Sequence, residues 1–131
     1  MVTATKRFSK QDRLTNRKAI QKLFNEGNAF KKFPYRVFYL SVKKTNELFC
    51  NKVVFSVPKK HIRSAVQRNK IKRLCREVYR LNKHLLSDTF DAEFVFLIGF
   101  VYTDNCSAIS YPYFNKAMVG ALQYVKQIDP K

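Results

Sequence analysis

The feature that most constrains this chain is its longest apolar run, Phe94–Tyr102, nine residues reading Phe-Val-Phe-Leu-Ile-Gly-Phe-Val-Tyr. It reaches about half of the roughly 20 residues a membrane-spanning helix needs. A short continuous apolar stretch fits a strand covered on both faces. Residues 91–102 are therefore expected to form a strand that other elements must enclose.

Those elements can be placed by periodicity. Thr15 or Asn16 can cap a helix whose apolar residues Ile20, Leu23 and Phe24 fall at i, i+3 and i+4, with Gly27 as its C-terminal cap and Arg17, Lys18 and Lys22 on the other faces. Residues 35–42 alternate, with Phe38, Leu40 and Val42 on one side and Val37, Tyr39 and Ser41 on the other, which is strand periodicity. A second strand at 52–57 stops at Pro58, and residues 43–51, with Asn46 and Asn51, read as a hairpin loop. Ser64 can cap a helix running to about Leu86 with an apolar stripe of Val66, Leu74, Val78, Leu81 and Leu85. Ser110 with Pro112 opens a last helix whose stripe is Phe114, Ala117, Met118, Ala121, Leu122 and Val125.

The expected order is αββαβα, an α+β two-layer sandwich of a small sheet with helices packed on it. At 131 residues the chain is near the modal domain size, so one domain over 1–131 is expected, with flexible ends at 1–8 and 127–131. Three Gly and four Pro exclude collagenous and linker classes. Lys6 and Arg7 precede no apolar stretch, so no signal peptide or membrane anchor is expected. Cys50, Cys75 and Cys106 are odd in number and widely spaced, which suits free buried thiols in a reducing compartment. A soluble cytoplasmic protein is the expectation.

Charge then narrows the function. The formal net charge is +17, and it is unevenly placed: residues 1–24 hold seven bases and one acid, 25–57 six and two, 58–83 ten and one, and 84–131 three and five. A chain whose last third is slightly acidic has concentrated its cations on particular elements, and a polyanion is the partner that such concentration suits. Within the helix beginning near Ala65, Arg68, Lys72, Arg76 and Arg80 step by four along one ridge, and Asn69, Arg73 and Arg76 line the neighbouring one. Like charges at that spacing cost a few tenths of a kcal/mol each, a penalty that bound phosphates would reverse. A solvated helix face is the plainer alternative. Phe24, Tyr39 and Tyr35 beside Arg13 and Arg17 form the mixture that stacks on unpaired bases, although aromatic residues at such spacing also build cores.

Catalytic constellations are harder to find. Gly27, Gly99 and Gly120 are isolated, so no glycine-rich phosphate loop exists. His61 and His84 have no metal-spaced partners. Asp88, Asp91 and Glu93 are the only close acidic group, a conceivable Mg²⁺ nuclease site that ordinary solvated turn carboxylates explain equally.

The segment Ala65-Val-Gln-Arg-Asn-Lys-Ile-Lys-Arg-Leu-Cys-Arg-Glu77 resembles the Arg-Asn-Arg signature helix of the protein component of bacterial ribonuclease P, with Arg68, Asn69, Lys72, Arg73 and Arg76 matching position by position. Upstream, Ser56-Val-Pro-Lys-Lys60 is similar to the strand end and basic turn before that helix, and Arg13-Leu14 with Gln21-Lys-Leu-Phe24 to the family's first helix. Three departures stand out. Lys70 replaces the second Arg of the signature, His61-Ile-Arg-Ser64 replaces a shorter Gly-Asn turn, and Ile20 stands where the family usually has Phe.

The resemblance implies a subunit of a ribonucleoprotein that removes the 5′ leader from precursor tRNA, with catalysis and its Mg²⁺ belonging to the RNA. On that reading Lys59, Lys60, Arg68, Asn69, Lys72, Arg73 and Arg76 dock on the catalytic RNA. Arg13, Arg17, Ile20, Phe24 and Tyr39 line a cleft for the single-stranded leader of precursor tRNA. The implied fold is ribosomal protein S5 domain 2-like with a left-handed βαβ crossover. No metal in the protein, no membrane and no stable protein partner are expected. Two other classes remain to be weighed: a structural RNA-binding protein of the ribosome or its assembly, and a protein-only nuclease built on Asp88, Asp91 and Glu93.

Overall fold

The computed structural model of the chain describes residues 12–48, 50–86, 93–105 and 110–128. Helix α1 (Arg17–Glu26) starts at Asn16, whose side-chain Oδ1 accepts from the Ala19 N–H at 3.1 Å, so Asn16 rather than Thr15 is the cap. It ends at Gly27, where the backbone is extended and not left-handed. Glycine is needed there for closeness: a Cβ would strike the Leu23 carbonyl and lie 2.8 Å from that of Tyr39.

Four strands follow: β1 (Asn28–Lys32), β2 (Tyr35–Lys43), β3 (Lys52–Ser56) and, after helix α2 (Ala65–Asn82) and a 3-10 turn (Lys83–Leu85), β4 (Phe94–Tyr102). Helix α3 (Tyr111–Lys126) closes the described chain. The α+β class is as expected, with one strand more, so the order is αβββαβα. Strand β1 has a single apolar residue that packs on the core, Phe30, and is otherwise exposed. Its pairing with β2 rests on backbone hydrogen bonds, which leave no period in the side chains.

The hairpin expected across residues 43–51 does not form. Sheet order is β1-β2-β4-β3, with β4 antiparallel to β2 and parallel to β3. The most apolar strand takes the centre, where both its faces are covered, and parts β2 from β3. Its parallel pairing with β3 requires a crossover, which α2 supplies.

The stripe on α2 also differs from expectation. Ile71, Cys75, Val78 and Tyr79 are buried, Leu74 and Leu85 only partly, and Val66 is 64% exposed. Tyr79 turns the helix, since its ring packs on Phe55 of β3 at 6.2 Å, a bulk that a count of aliphatic residues overlooks. The stripe on α3 is as expected: Phe114, Ala117, Met118, Ala121, Leu122 and Val125 are all buried.

Successive strand residues face opposite sides, and the helices divide accordingly. Tyr35, Val37 and Tyr39 of β2 and Ile98, Phe100 and Tyr102 of β4 meet α2 and α3. Phe38, Leu40 and Val42 with Leu97 and Val54 meet α1 on the other face. Beyond α3, Ile128 packs on the core and its N–H bonds the Val125 carbonyl at 3.0 Å, so the expected loose end does not begin at 127. Residues 1–8 and 129–131, together with Cys106, Asp88 and Asp91, lie outside the described residues. Neither Cys50, half-buried, nor Cys75, buried, is in a disulfide. Among the described residues no helix is long and apolar enough to cross a membrane.

Candidate nucleic-acid interface

Helix α2 is held by its buried Ile71, Cys75, Val78 and Tyr79, which leaves the basic residues between them at the surface. Ser64 caps its first turn, accepting from the Gln67 N–H at 3.3 Å. Asn69 and Arg73 are exposed, Lys72 and Arg76 half-buried, and none of the three cations has an ion-pair partner among the described residues. The ridge is neutralised at its far end, where Arg80 Nη2 meets Glu77 Oε2 at 2.6 Å. That hydrogen bond holds the Glu77 carboxyl below its ordinary range.

Arg68 behaves differently from its neighbours. Its Nη1 donates to the carbonyl oxygens of Ile62 at 3.0 Å and Arg63 at 2.7 Å, so the guanidinium braces the turn that precedes the helix. That turn carries Lys59 and Lys60, both exposed. It is pinned at three further points: Ile62 is buried, the His61 and Ile62 N–H groups bond the Pro58 carbonyl, and His61 Nδ1 donates to Asn105 Oδ1 at 2.8 Å. The departure at His61–Ser64 is thus an ordered feature, held by the His61 and Ile62 N–H groups, the His61 ring and the Arg68 guanidinium.

The α1 face of the sheet is only partly covered. Phe24, near the end of α1, packs edge-on against Phe38 of β2 with centroids 4.8 Å apart. It sits directly over β4: a Cβ on Gly99 would lie 2.8 Å from Phe24 Cζ, so glycine makes room for the ring. The Arg36 guanidinium lies 5.4 Å from the Phe38 centroid, a cation–π pair. Around these groups runs a groove of about 600 Å³, walled by Phe24, Arg36 and Phe38 and rimmed by Lys31, Phe33, Lys60 and His61.

The sequence-predicted residues distribute unevenly over this surface. Phe24 lines the groove, and Lys60, expected on the other surface, joins it there. Ile20 is half-buried in the α1 packing. Arg17 is exposed in the first turn of α1, and Arg13 is exposed where it bridges to Val53, so both stand toward the opposite end of α1 from Phe24. Tyr39 does not share the cleft. It is 8% exposed on the α2/α3 face, with its ring 6.3 Å from Tyr124 of α3, because odd-numbered residues of β2 point away from α1. Tyr35 is core on the same face and also contributes to the lining of the groove. The aromatic floor beneath Phe24 is Phe38, which alternation would have selected once α1 was assigned to the even-numbered side. Arg36 and Lys31 were overlooked because both lie in residues 25–57, outside the two segments, 1–24 and 58–83, where the sequence concentrates its charge. Glu93 is exposed, and among the described residues no three of His, Cys, Asp or Glu gather as a metal site.

Comparison with known proteins places this chain in a family. The sequence model of the Ribonuclease P family matches residues 8–125. The ribonuclease P protein component of Porphyromonas gingivalis is 48% identical over 85 residues, covering 65% of this chain and 61% of that protein. That of Chlorobaculum tepidum is 34% identical over 98 residues, covering 70% and 64%. The chain thus spans less than two thirds of the length of these curated relatives. In fold it is similar to the RNase P protein of Staphylococcus aureus, with a TM-score of 0.68 at 20% identity over 88% of this chain and 95% of that one. The protein from Thermotoga maritima gives 0.66 at 22% identity over 86% and 96%. With a signature helix, a matching fold and a family match over nearly its whole length, the chain belongs to the ribonuclease P family.

Proposed function

We propose that the chain is the protein subunit of cytoplasmic ribonuclease P, binding the catalytic RNA and the single-stranded 5′ leader of precursor tRNA while the RNA and its Mg²⁺ perform the cleavage. The observation that carries this reading is the face of α2, where Lys72, Arg73 and Arg76 stand beside Asn69 with no carboxylate partner among the described residues. Such a face is destabilised by its own repulsion and relieved by phosphates, and it lies on the helix that bears the family signature.

The division of labour follows from the chemistry present. Lys59, Asn69, Lys72, Arg73 and Arg76 dock on the catalytic RNA, and Arg68 serves them by fixing the preceding turn. The groove takes the leader: Phe24 and Phe38 offer stacking faces, and Arg36, Lys31 and Lys60 neutralise its phosphates. Arg13, Arg17 and Ile20 extend that wall along α1 toward the rest of the substrate. Positioning needs cations, donors and stacking faces on a rigid frame, and no general base of the protein's own.

Reconstitution tests the proposal. Mixed with its cognate RNA subunit at low Mg²⁺, the protein is expected to restore 5′ cleavage of precursor tRNA. Cleavage no faster than with RNA alone contradicts it.

A further inference from the structure

The rim of the groove carries aromatic rings that the core does not enclose. Phe33, in the turn between β1 and β2, lines the groove yet is 61% exposed. Its ring lies 6.2 Å from that of Tyr113 at an interplanar angle of 54°. Tyr113 and Tyr111, in the first turn of α3, are 38% and 40% exposed. Exposed rings gathered in one place mark an interaction surface. Here they continue a line that begins inside the groove, from Phe24 to Phe38 to the Arg36 guanidinium above it, then out over Phe33 to Tyr113.

We propose that Phe33 and Tyr113 form a second stacking platform for single-stranded RNA, which holds the leader nucleotides lying farther from the cleavage site as they leave the groove. This rests on the groove being the leader's path. The surroundings favour RNA over a protein partner. Lys31 stands at the groove's rim, the Lys32 side chain lies across α3 at Gly120, and Lys116 is exposed. Asp104, just past β4, is the carboxylate that follows the strand at this end. Aromatic rings among cations are what unpaired bases and their phosphates bind, and stacking tolerates any base sequence.

The test measures the affinity of the reconstituted holoenzyme for two precursor tRNAs, one with a leader just long enough to fill the groove and one longer by several nucleotides. Wild type is expected to bind the longer leader more tightly, and Tyr113→Ala to remove about tenfold of that gain. Tyr113→Phe keeps the ring and is expected to keep the gain. Phe33→Ala, at an exposed turn whose ring also lines the groove, should weaken both precursors and the longer-leader one more, without disturbing α3. Equal affinities of Tyr113→Ala and Phe33→Ala for both leaders relative to wild type, or equal losses on both, overturn the platform. So does a change in sedimentation of the variants with leader dependence intact, which would assign the rings to a protein contact. Phe24→Ala run in parallel separates the two readings. If it weakens the short-leader precursor while Tyr113→Ala spares the length effect, only the platform fails; if it weakens neither precursor, the groove reading fails and the platform with it.

Discussion

The two faces of the sheet differ in how completely they are filled. Against α2 and α3, twenty described residues are buried in one cluster, including Tyr35, Phe100, Phe114 and Met118. Against α1, four are: Leu14, Ala19, Leu23 and Leu97. The closed face has the packing that stabilises a small domain, while the open face keeps Phe24, Phe38 and Arg36 within reach of a ligand. Stability and binding are thereby separated onto opposite sides of one sheet, so a groove can stay unfilled without weakening the core beneath it.

The largest expected effect is on the closed face. Phe114 is fully buried against Tyr35 and Tyr102, and Phe114→Ala should cost about 3–5 kcal/mol of unfolding free energy, measured by urea denaturation. A loss below about 1 kcal/mol would mean that this face is not the stabilising one. On the open face, Gly99→Ala places a methyl against the Phe24 ring and should displace it. Precursor affinity is expected to fall by about 1 kcal/mol, the low end of what a stacked base contributes; a loss of mature tRNA affinity to the same extent would show a global fault instead.

The basic helix offers a finer contrast. Arg73→Ala should reduce the log–log salt slope of RNA binding by about 0.9, as one lost phosphate contact does. Arg68→Ala should weaken binding while leaving that slope nearly unchanged, because its guanidinium is spent on the Ile62 and Arg63 carbonyls. Equal slope changes in a titration from low to high salt would put Arg68 on the RNA. The smallest effect concerns pH. Burial pushes the Cys75 thiol from 9.0 up to about 12, so the folded state keeps a proton that the unfolded state releases. Stability should therefore decline as pH rises above 9, and Cys75→Val should decline less; parallel curves in alkaline denaturation would contradict this.

Much of this was legible from periodicity. The α3 stripe, the Ser64 cap, the two faces of residues 35–42 and the central, doubly covered strand follow from side-chain spacing alone. What escaped had other causes. Strand β1 is held by backbone pairing at an edge, so its side chains carry no period. The partner of β2 was hidden because sequence neighbours need not pair when a more apolar strand competes for the centre. In the candidate site, the row of cations on α2 was visible in the sequence, yet the inward turn of Arg68 was not, since nothing about an arginine on a ridge indicates which acceptors lie behind it. Tyr39 was misplaced for want of knowing which side α1 would cover, a tertiary choice that leaves both sides of an alternating strand equally plausible.

The central claim, that the open face binds and the closed face stabilises, is tested most directly by Phe24→Ala. Its melting curve and the affinities of its reconstituted holoenzyme for precursor and mature tRNA should be measured together. The account predicts a loss of about 1–3 kcal/mol in precursor affinity with mature tRNA unaffected and little change in melting temperature. A large fall in melting temperature with precursor and mature tRNA weakened alike would make Phe24 a core residue and contradict it.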